Sequence, residues 1–215
     1  MNVAVGVVDN MNKADVIAYF DGCAPTWDQE LLKNDAVIAE ILDHAGISEN
    51  MDVLDIACGT GVLFPYYTKR GVTSVTGVDI SPEMVKIARG KYVDSPQITV
   101  ICGDIEEIDL QRRFDAVVLY NAFPHFCDAE RLIKGLAALT KPGGRLTIAH
   151  GMSRDKINAH HQGSARAVSN GLMPADQLAE LLLPYFDVDV VISNDSMYQV
   201  SGNRNQIVHE SIGRE

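Results

Sequence analysis

The chain has 215 residues, 47% of them hydrophobic, and carries a formal charge of -11 at pH 7. This length and apolar fraction suit one globular domain with a full core, and the acidity disfavours close tracking of a phosphate backbone, so no nucleic-acid partner is expected. No apolar run approaches the roughly 20 residues that span a bilayer, and the opening MNVAVGVVDNMNK lacks the basic and apolar regions of a secretory signal. The expectation is a soluble, cytoplasmic monomer or homodimer with no membrane partner.

In chain order, helical spacing predicts helices over Lys13 to Phe20 and Gln29 to Ala45, the second ended by Gly46. From Met51, short β-branched runs alternate with helices: MDVLDIA, VTSVTGVDI, QITVIC, FDAVVLY and GRLTIAH read as strands. GVLFPYYTKR follows the first strand as a helix. Ser81 and Pro82 form an N-cap and N1 pair opening SPEMVKIARGKY, and KPGG is a turn before the fifth strand. Ser153 caps a helix from Arg154 to about Gln162, and another helix opens near Pro174 after a loop. The closing FDVDVVISNDSMYQVSGNRN holds two strands joined too briefly for a crossover, so they are antiparallel. The predicted fold is α/β, a doubly wound, seven-stranded, mostly parallel sheet with a C-terminal antiparallel hairpin.

Cys23, Cys58, Cys102 and Cys127 show no CxxC pair or zinc-like spacing. Cys58 and Cys102 read as small buried hydrophobes, and no disulfide framework is expected.

The first strand runs into ACGTGVL, where Gly59 and Gly61 allow close backbone approach to a ligand and the following helix points donors at it. A dinucleotide fingerprint would carry a third glycine where Phe64 stands, which argues against NAD. Asp79 ends the second strand, eighteen positions after Gly61, where a carboxylate accepts hydrogen bonds from both ribose hydroxyls. Asp104 ends the third at the same edge and suits an adenine amine, with Ile80 and Ile105 on either side of the ring.

VLDIACGTG, GVDIS, GDIEEI, FDAVVLYNAFPHF and LTKPGGRL, in this order, resemble the motifs of the class I S-adenosylmethionine-dependent methyltransferases, especially the small-molecule group that includes ubiquinone/menaquinone-biosynthesis enzymes. Ala57 stands where many members carry glycine. The resemblance implies S-adenosylmethionine as cofactor, with Asp55, Ala57, Gly59 and Gly61 beside its methionine part, Asp79 at ribose and Asp104 at adenine. The segment AYFDGCAPTWD is similar to one that many such enzymes fold over the cofactor, which makes Tyr19 and Trp27 lid residues, residues 1–45 a helical lid and residues 151–173 an acceptor-side insertion.

The fourth strand ends in LYNAFPHF rather than the Asn/Asp-Pro-Pro-aromatic motif of amide and base N-methyltransferases, so a small-molecule acceptor is expected. It places Tyr120 beside the cofactor, Asn121 beside the acceptor and His125 as the candidate general base. His150, Arg154 and His161 are candidate acceptor-binding residues. His160 and His161, adjacent on a helix, diverge by roughly 100 degrees, and no HxxxH pair occurs, so no metal site is expected. Open alternatives are an NAD-dependent oxidoreductase, a non-catalytic cofactor-binding or regulatory protein, and a thiol or metalloid methyltransferase using Cys23 or Cys127.

Overall fold

A computed structural model describes residues 11–31, 33–161 and 164–206. Seven strands form one sheet: β1 (Asp52–Ile56), β2 (Ser74–Asp79), β3 (Ile98–Cys102), β4 (Phe114–Tyr120), β5 (Thr140–His150), β6 (Phe186–Ser193) and β7 (Tyr198–Arg204). Their order is β3-β2-β1-β4-β5-β7-β6, parallel through β5, with β7 antiparallel to both neighbours. The chain steps outward from β1 to β3, then returns to the other side of β1. That reversal opens a crevice at the carboxyl ends of β1 and β4, where open α/β sheets bind ligands.

The helices are α1 (Lys13–Cys23), α2 (Trp27–Glu30), α3 (Asp35–His44), α4 (Phe64–Lys69), α5 (Pro82–Lys91), α6 (Ala129–Leu139), α7 (Arg154–His161) and α8 (Ala175–Leu182). Two 3₁₀ turns, Phe123–His125 and Ser164–Val168, follow β4 and α7. One layer of core packs α6 and α8 under β1, β4, β5 and β7 through Leu132, Ile133, Leu136, Leu178 and Leu182. The other packs α3, α4 and α5 on β1, β2 and β4 through Ile38, Leu42, Phe64, Tyr67 and Val85.

Several predicted boundaries move. The single helix Gln29–Ala45 is two: α2 ends at Glu30, and α3 begins only after Asn34, whose side chain accepts from the Ala36 and Val37 amides and so starts a new helix. Leu32, within the predicted helix Gln29–Ala45, and Gln162, the expected end of α7, lie outside the described residues, as do residues 1–10. α1 runs on to Cys23, and α4 starts at Phe64 rather than Gly61, because positive φ at Gly59 and Gly61 keeps that segment in a turn. KPGG interrupts a strand instead of preceding one. Phe114 pairs with Thr140 but Ala116 with Arg145, so Lys141–Gly144 bulge out of β5. Cys58 is buried as expected; Cys102 is exposed at the end of the edge strand β3.

Candidate active site

At the crevice the chain places three carboxylates on three successive strand ends. Asp55, near the end of β1, is 2% exposed, and its Oδ2 has no hydrogen-bond partner among the described residues. Burial, then the Asp79 charge, push its carboxyl well above the usual carboxylate range. Asp79, ending β2, is bridged into the loops: Oδ2 accepts from the Gly59 amide at 2.7 Å and Oδ1 from the Ser81 amide at 2.8 Å. Burial raises this group too. Each of its oxygens keeps a further lone pair for a hydroxyl. Asp104, past β3, accepts from the Glu106 amide at 2.9 Å through Oδ1, while its Oδ2 meets the Lys13 ammonium. Ile80 is half-buried and Ile105 buried at the same edge.

The loop between β1 and α4 is left-handed at three places: Ala57 (φ 51°), Gly59 (φ 56°) and Gly61 (φ 81°). Glycine tolerates this; alanine at position 57 is strained. A Cβ on Gly61 would lie 2.7 Å from the rings of Phe64 and Tyr92. Phe64 itself is fully buried against β2, where a Cβ on Gly77 would come within 2.5 Å of its Cζ. Close helix–strand packing is therefore achieved with the glycine on the strand instead of at the third place of the loop.

The N-terminal helices lie over this edge through three charged side chains, each of which reaches one of the loops. Lys13 reaches Asp104, Glu106 and Glu107. Asp21 accepts from Ser81 Oγ at 2.5 Å and from the Glu83 amide at 3.2 Å. Asp28 accepts from Thr60 Oγ1 at 2.6 Å and pairs with Lys91 at 2.9 Å. Tyr19 and Trp27, both half-buried, sit edge-on to Phe20, and Trp27 Nε1 lies 3.8 Å from a Cβ built on Gly59.

On the acceptor side, Tyr120 ends β4 with its hydroxyl against Gly151, and burial moves that hydroxyl up to about 12. Asn121, left-handed at φ 56°, ties β4 to β5: its amide donates to the Ala149 carbonyl at 2.8 Å and its Oδ1 accepts from the Gly151 amide at 2.9 Å. His125 Nδ1 lies 2.6 Å from the Val168 carbonyl. A carbonyl only accepts, so Nδ1 carries the proton and Nε2 holds a lone pair. Burial lowers His125 below the ordinary histidine range. Its ring packs against Phe20 at 5.0 Å and His161 at 5.1 Å.

His150 is 1% exposed, with neither ring nitrogen partnered among the described residues, and burial, then His125 and His161, bring it down to about 3. His161 faces inward, Nδ1 2.8 Å from Ser169 Oγ, and burial lowers it to about 4; His160 is exposed. Arg154 turns inward as well, but its Nε donates to the Leu172 carbonyl at 2.9 Å.

The structure thus brings Asp55, Asp79, Asp104 and the glycine loop to one edge, and His125, His150 and His161 into one neighbourhood. Among the described residues no three His, Cys, Asp or Glu side chains are arranged to hold a metal ion. Sequence reasoning missed Lys13, Asp21, Asp28, Ser169 and Asn170, whose partners lie elsewhere in the chain; only their polar character within the lid and insertion marked them.

Known proteins share the domain and the fold. Residues 53–144 match the family model described as a methyltransferase domain. The chain is 29% identical over 143 residues to a malonyl-[acyl-carrier protein] O-methyltransferase of Priestia megaterium, covering 65% of this chain and 52% of that protein. It is 38% identical over 97 residues to a ubiquinone biosynthesis O-methyltransferase of Coxiella burnetii, covering 44% and 41%. The chain therefore spans about half the length, or less, of these curated relatives. Its fold matches the N-methyltransferase NodS of Bradyrhizobium japonicum, solved with S-adenosyl-L-homocysteine (TM-score 0.69, 14% identity, 87% of this chain and 97% of that one). It also matches the magnesium protoporphyrin IX methyltransferase of Synechocystis (TM-score 0.67, 18% identity, 90% and 100%). In motif order, sheet topology and family match, residues 53–144 are similar to the methyltransferase domain of these enzymes.

Proposed function

We propose that the chain binds S-adenosylmethionine at the ends of β1, β2 and β3 and transfers its methyl group to a small-molecule acceptor. The observation that carries this reading is Asp55: a buried carboxylate with an unpartnered oxygen beside a left-handed glycine loop suits a ligand's ammonium. Desolvating such a group without a partner costs about 1–3 kcal/mol or more, which a cationic ligand would offset. Asp79 would hold the ribose hydroxyls and Asp104 the adenine amine, with Lys13 sharing or yielding that carboxylate. Ala57, Gly59 and Gly61 would border the methionine part, Ile80 and Ile105 the adenine. Residues 11–45 would act as the lid, with Tyr19 and Trp27 excluding water.

The bound cofactor would supply an electrophilic methyl on a sulfonium; the protein's part is to hold an acceptor lone pair in line with it. His125, neutral and with Nε2 free, is suited to take the acceptor's proton. Tyr120 would stand between cofactor and acceptor, and Asn121, whose Oδ1 is already used, would shape the pocket by fixing the Tyr120–Gly151 corner. His150 and His161 would line the acceptor space as neutral hydrogen-bonding groups, while the Arg154 guanidinium, tied by Nε to Leu172, keeps its other N–H groups for a polar substituent. All three imidazoles, His150 buried and His125 and His161 half-buried, favour the uncharged form, which suits a neutral acceptor better than an anionic one.

Incubation with S-adenosylmethionine carrying a labelled methyl and a panel of phenols, carboxylic acids and amines tests the assignment. Label in a panel member, lost in His125→Gln, supports it. S-adenosylhomocysteine binding with no transfer to any member would favour a non-catalytic binding protein.

A further inference from the structure

We propose that Asn170 is a positioning residue for His125, holding its backbone and thereby its tautomer from the acceptor-side segment; the role rests on the reading of His125 as general base. Three hydrogen bonds join residues 168–170 to the 3₁₀ turn that carries His125. The Asn170 amide donates to the Pro124 carbonyl at 2.8 Å, Asn170 Nδ2 donates to the Phe126 carbonyl at 3.1 Å, and His125 Nδ1 donates to the Val168 carbonyl at 2.6 Å. Asn170 thus grips the residues on both sides of His125, two positions from the carbonyl that fixes its ring. Because a carbonyl cannot donate, the 3.1 Å contact also fixes which amide atom is nitrogen.

A merely structural asparagine in such a place would be satisfied on both ends. Asn170 Oδ1 is instead buried and has no partner among the described residues, a condition that disfavours it on grounds of stability alone. The stability is given up while the grip on the turn is kept, and the free oxygen remains as an acceptor for a ligand's N–H or O–H. The same segment holds the second imidazole: Ser169 Oγ accepts from the Gly171 amide at 3.1 Å and shares a hydrogen bond with His161 Nδ1 at 2.8 Å. One short segment so leaves His125 a free lone pair and anchors the ring of its neighbour.

The groups that titrate around His125 are His161 on α7 and His150 on β5; Phe20 of α1 closes the remaining side without a charge.

The test is ¹⁵N NMR of histidine-labelled, ligand-free protein. In the parent chain His125 is expected as the Nδ1–H form with slow exchange of that hydrogen. In Asn170→Asp, equal in shape but unable to donate to Phe126, the Nε2–H form should appear and exchange should quicken roughly tenfold. Asn170→Ala carries the same test if the aspartate variant does not fold. An unchanged tautomer and exchange rate in either folded variant overturns the proposal. Methyl transfer by His125→Gln toward the phenol, carboxylate and amine panel reports separately on the base: undiminished transfer there would remove that reading while leaving the tautomer result standing.

Discussion

The two sides of the crevice bury opposite kinds of titratable group. The cofactor side buries carboxylates, Asp55 and Asp79, whose neutral forms are favoured by burial. The other side holds imidazoles, His150 buried and His125 and His161 half-buried, whose neutral forms are favoured too. Desolvation acts alike on both, but the sign on stability differs. A carboxyl raised in the fold contributes stability at low pH and loses it as pH rises through its folded value; an imidazole lowered in the fold contributes stability above about 6.5 and loses it as pH falls. At neutral pH the buried carboxyls therefore cost the fold stability, a charge waiting for a cation under the proposed reading, while the imidazoles cost none.

This contrast can be broken most strongly at His150. Its fall from about 6.5 to about 3 makes the protein roughly 3 kcal/mol less stable at pH 4 than at pH 7 through this group alone. His150→Gln should remove most of that acid sensitivity, read by urea unfolding at the two pH values; an unchanged difference would show that His150 is hydrated rather than dry. On the other side, Asp55→Asn should make the ligand-free protein about 1–3 kcal/mol more stable at pH 7 and weaken S-adenosylhomocysteine binding, an exchange of stability for function. Equal stability together with equal affinity would sink the idea of a waiting charge. Gly77→Ala should cost about 1–3 kcal/mol, because the fully buried Phe64 ring cannot yield to the added methyl; a thermal melt within one degree of the parent would contradict that. The smallest effect is expected at Ala57→Gly, which relieves a left-handed alanine and should stabilise the fold by about 1 kcal/mol. Denaturant midpoints should separate it from the parent.

The same contrast governs how much could be read from residues in order. The cofactor side is built from segments in which partners are near in sequence or fixed by strand order: the glycine loop follows β1, and Asp79 and Asp104 end the next two strands. Their placement at one edge follows from a parallel sheet alone. The acceptor side is joined across distance. His125 meets Val168 43 positions on, and Asn170 reaches back 44 to Phe126, so nothing local marks Asn170 or Ser169. Two further misreadings have a physical origin. Apolar spacing continues from Leu31 to Leu42 and hides the break that Asn34 imposes by capping α3. Phe64, at the place of a third loop glycine, gives no local sign of close packing because its compensating space lies on another strand, at Gly77. The adjacent histidines of α7 do diverge, His160 outward and His161 inward, yet His161 finds His125 and His150 from other elements.

The N-terminal segment divides along the same line. Its polar contacts land on the three loops expected to hold the cofactor, whereas its apolar face, Val16 with Tyr19 and Phe20, packs on Ala165 and Val168 of the acceptor side. The N-terminal helices therefore join the two halves.

Calorimetric titration of S-adenosylhomocysteine into the parent chain and Asp79→Ala tests the central claim most directly. Saturable one-to-one binding, weakened about a hundredfold when the carboxylate bridging Gly59 and Ser81 is removed, is the predicted result. No binding to the parent chain, or equal affinity in the two proteins, would contradict it.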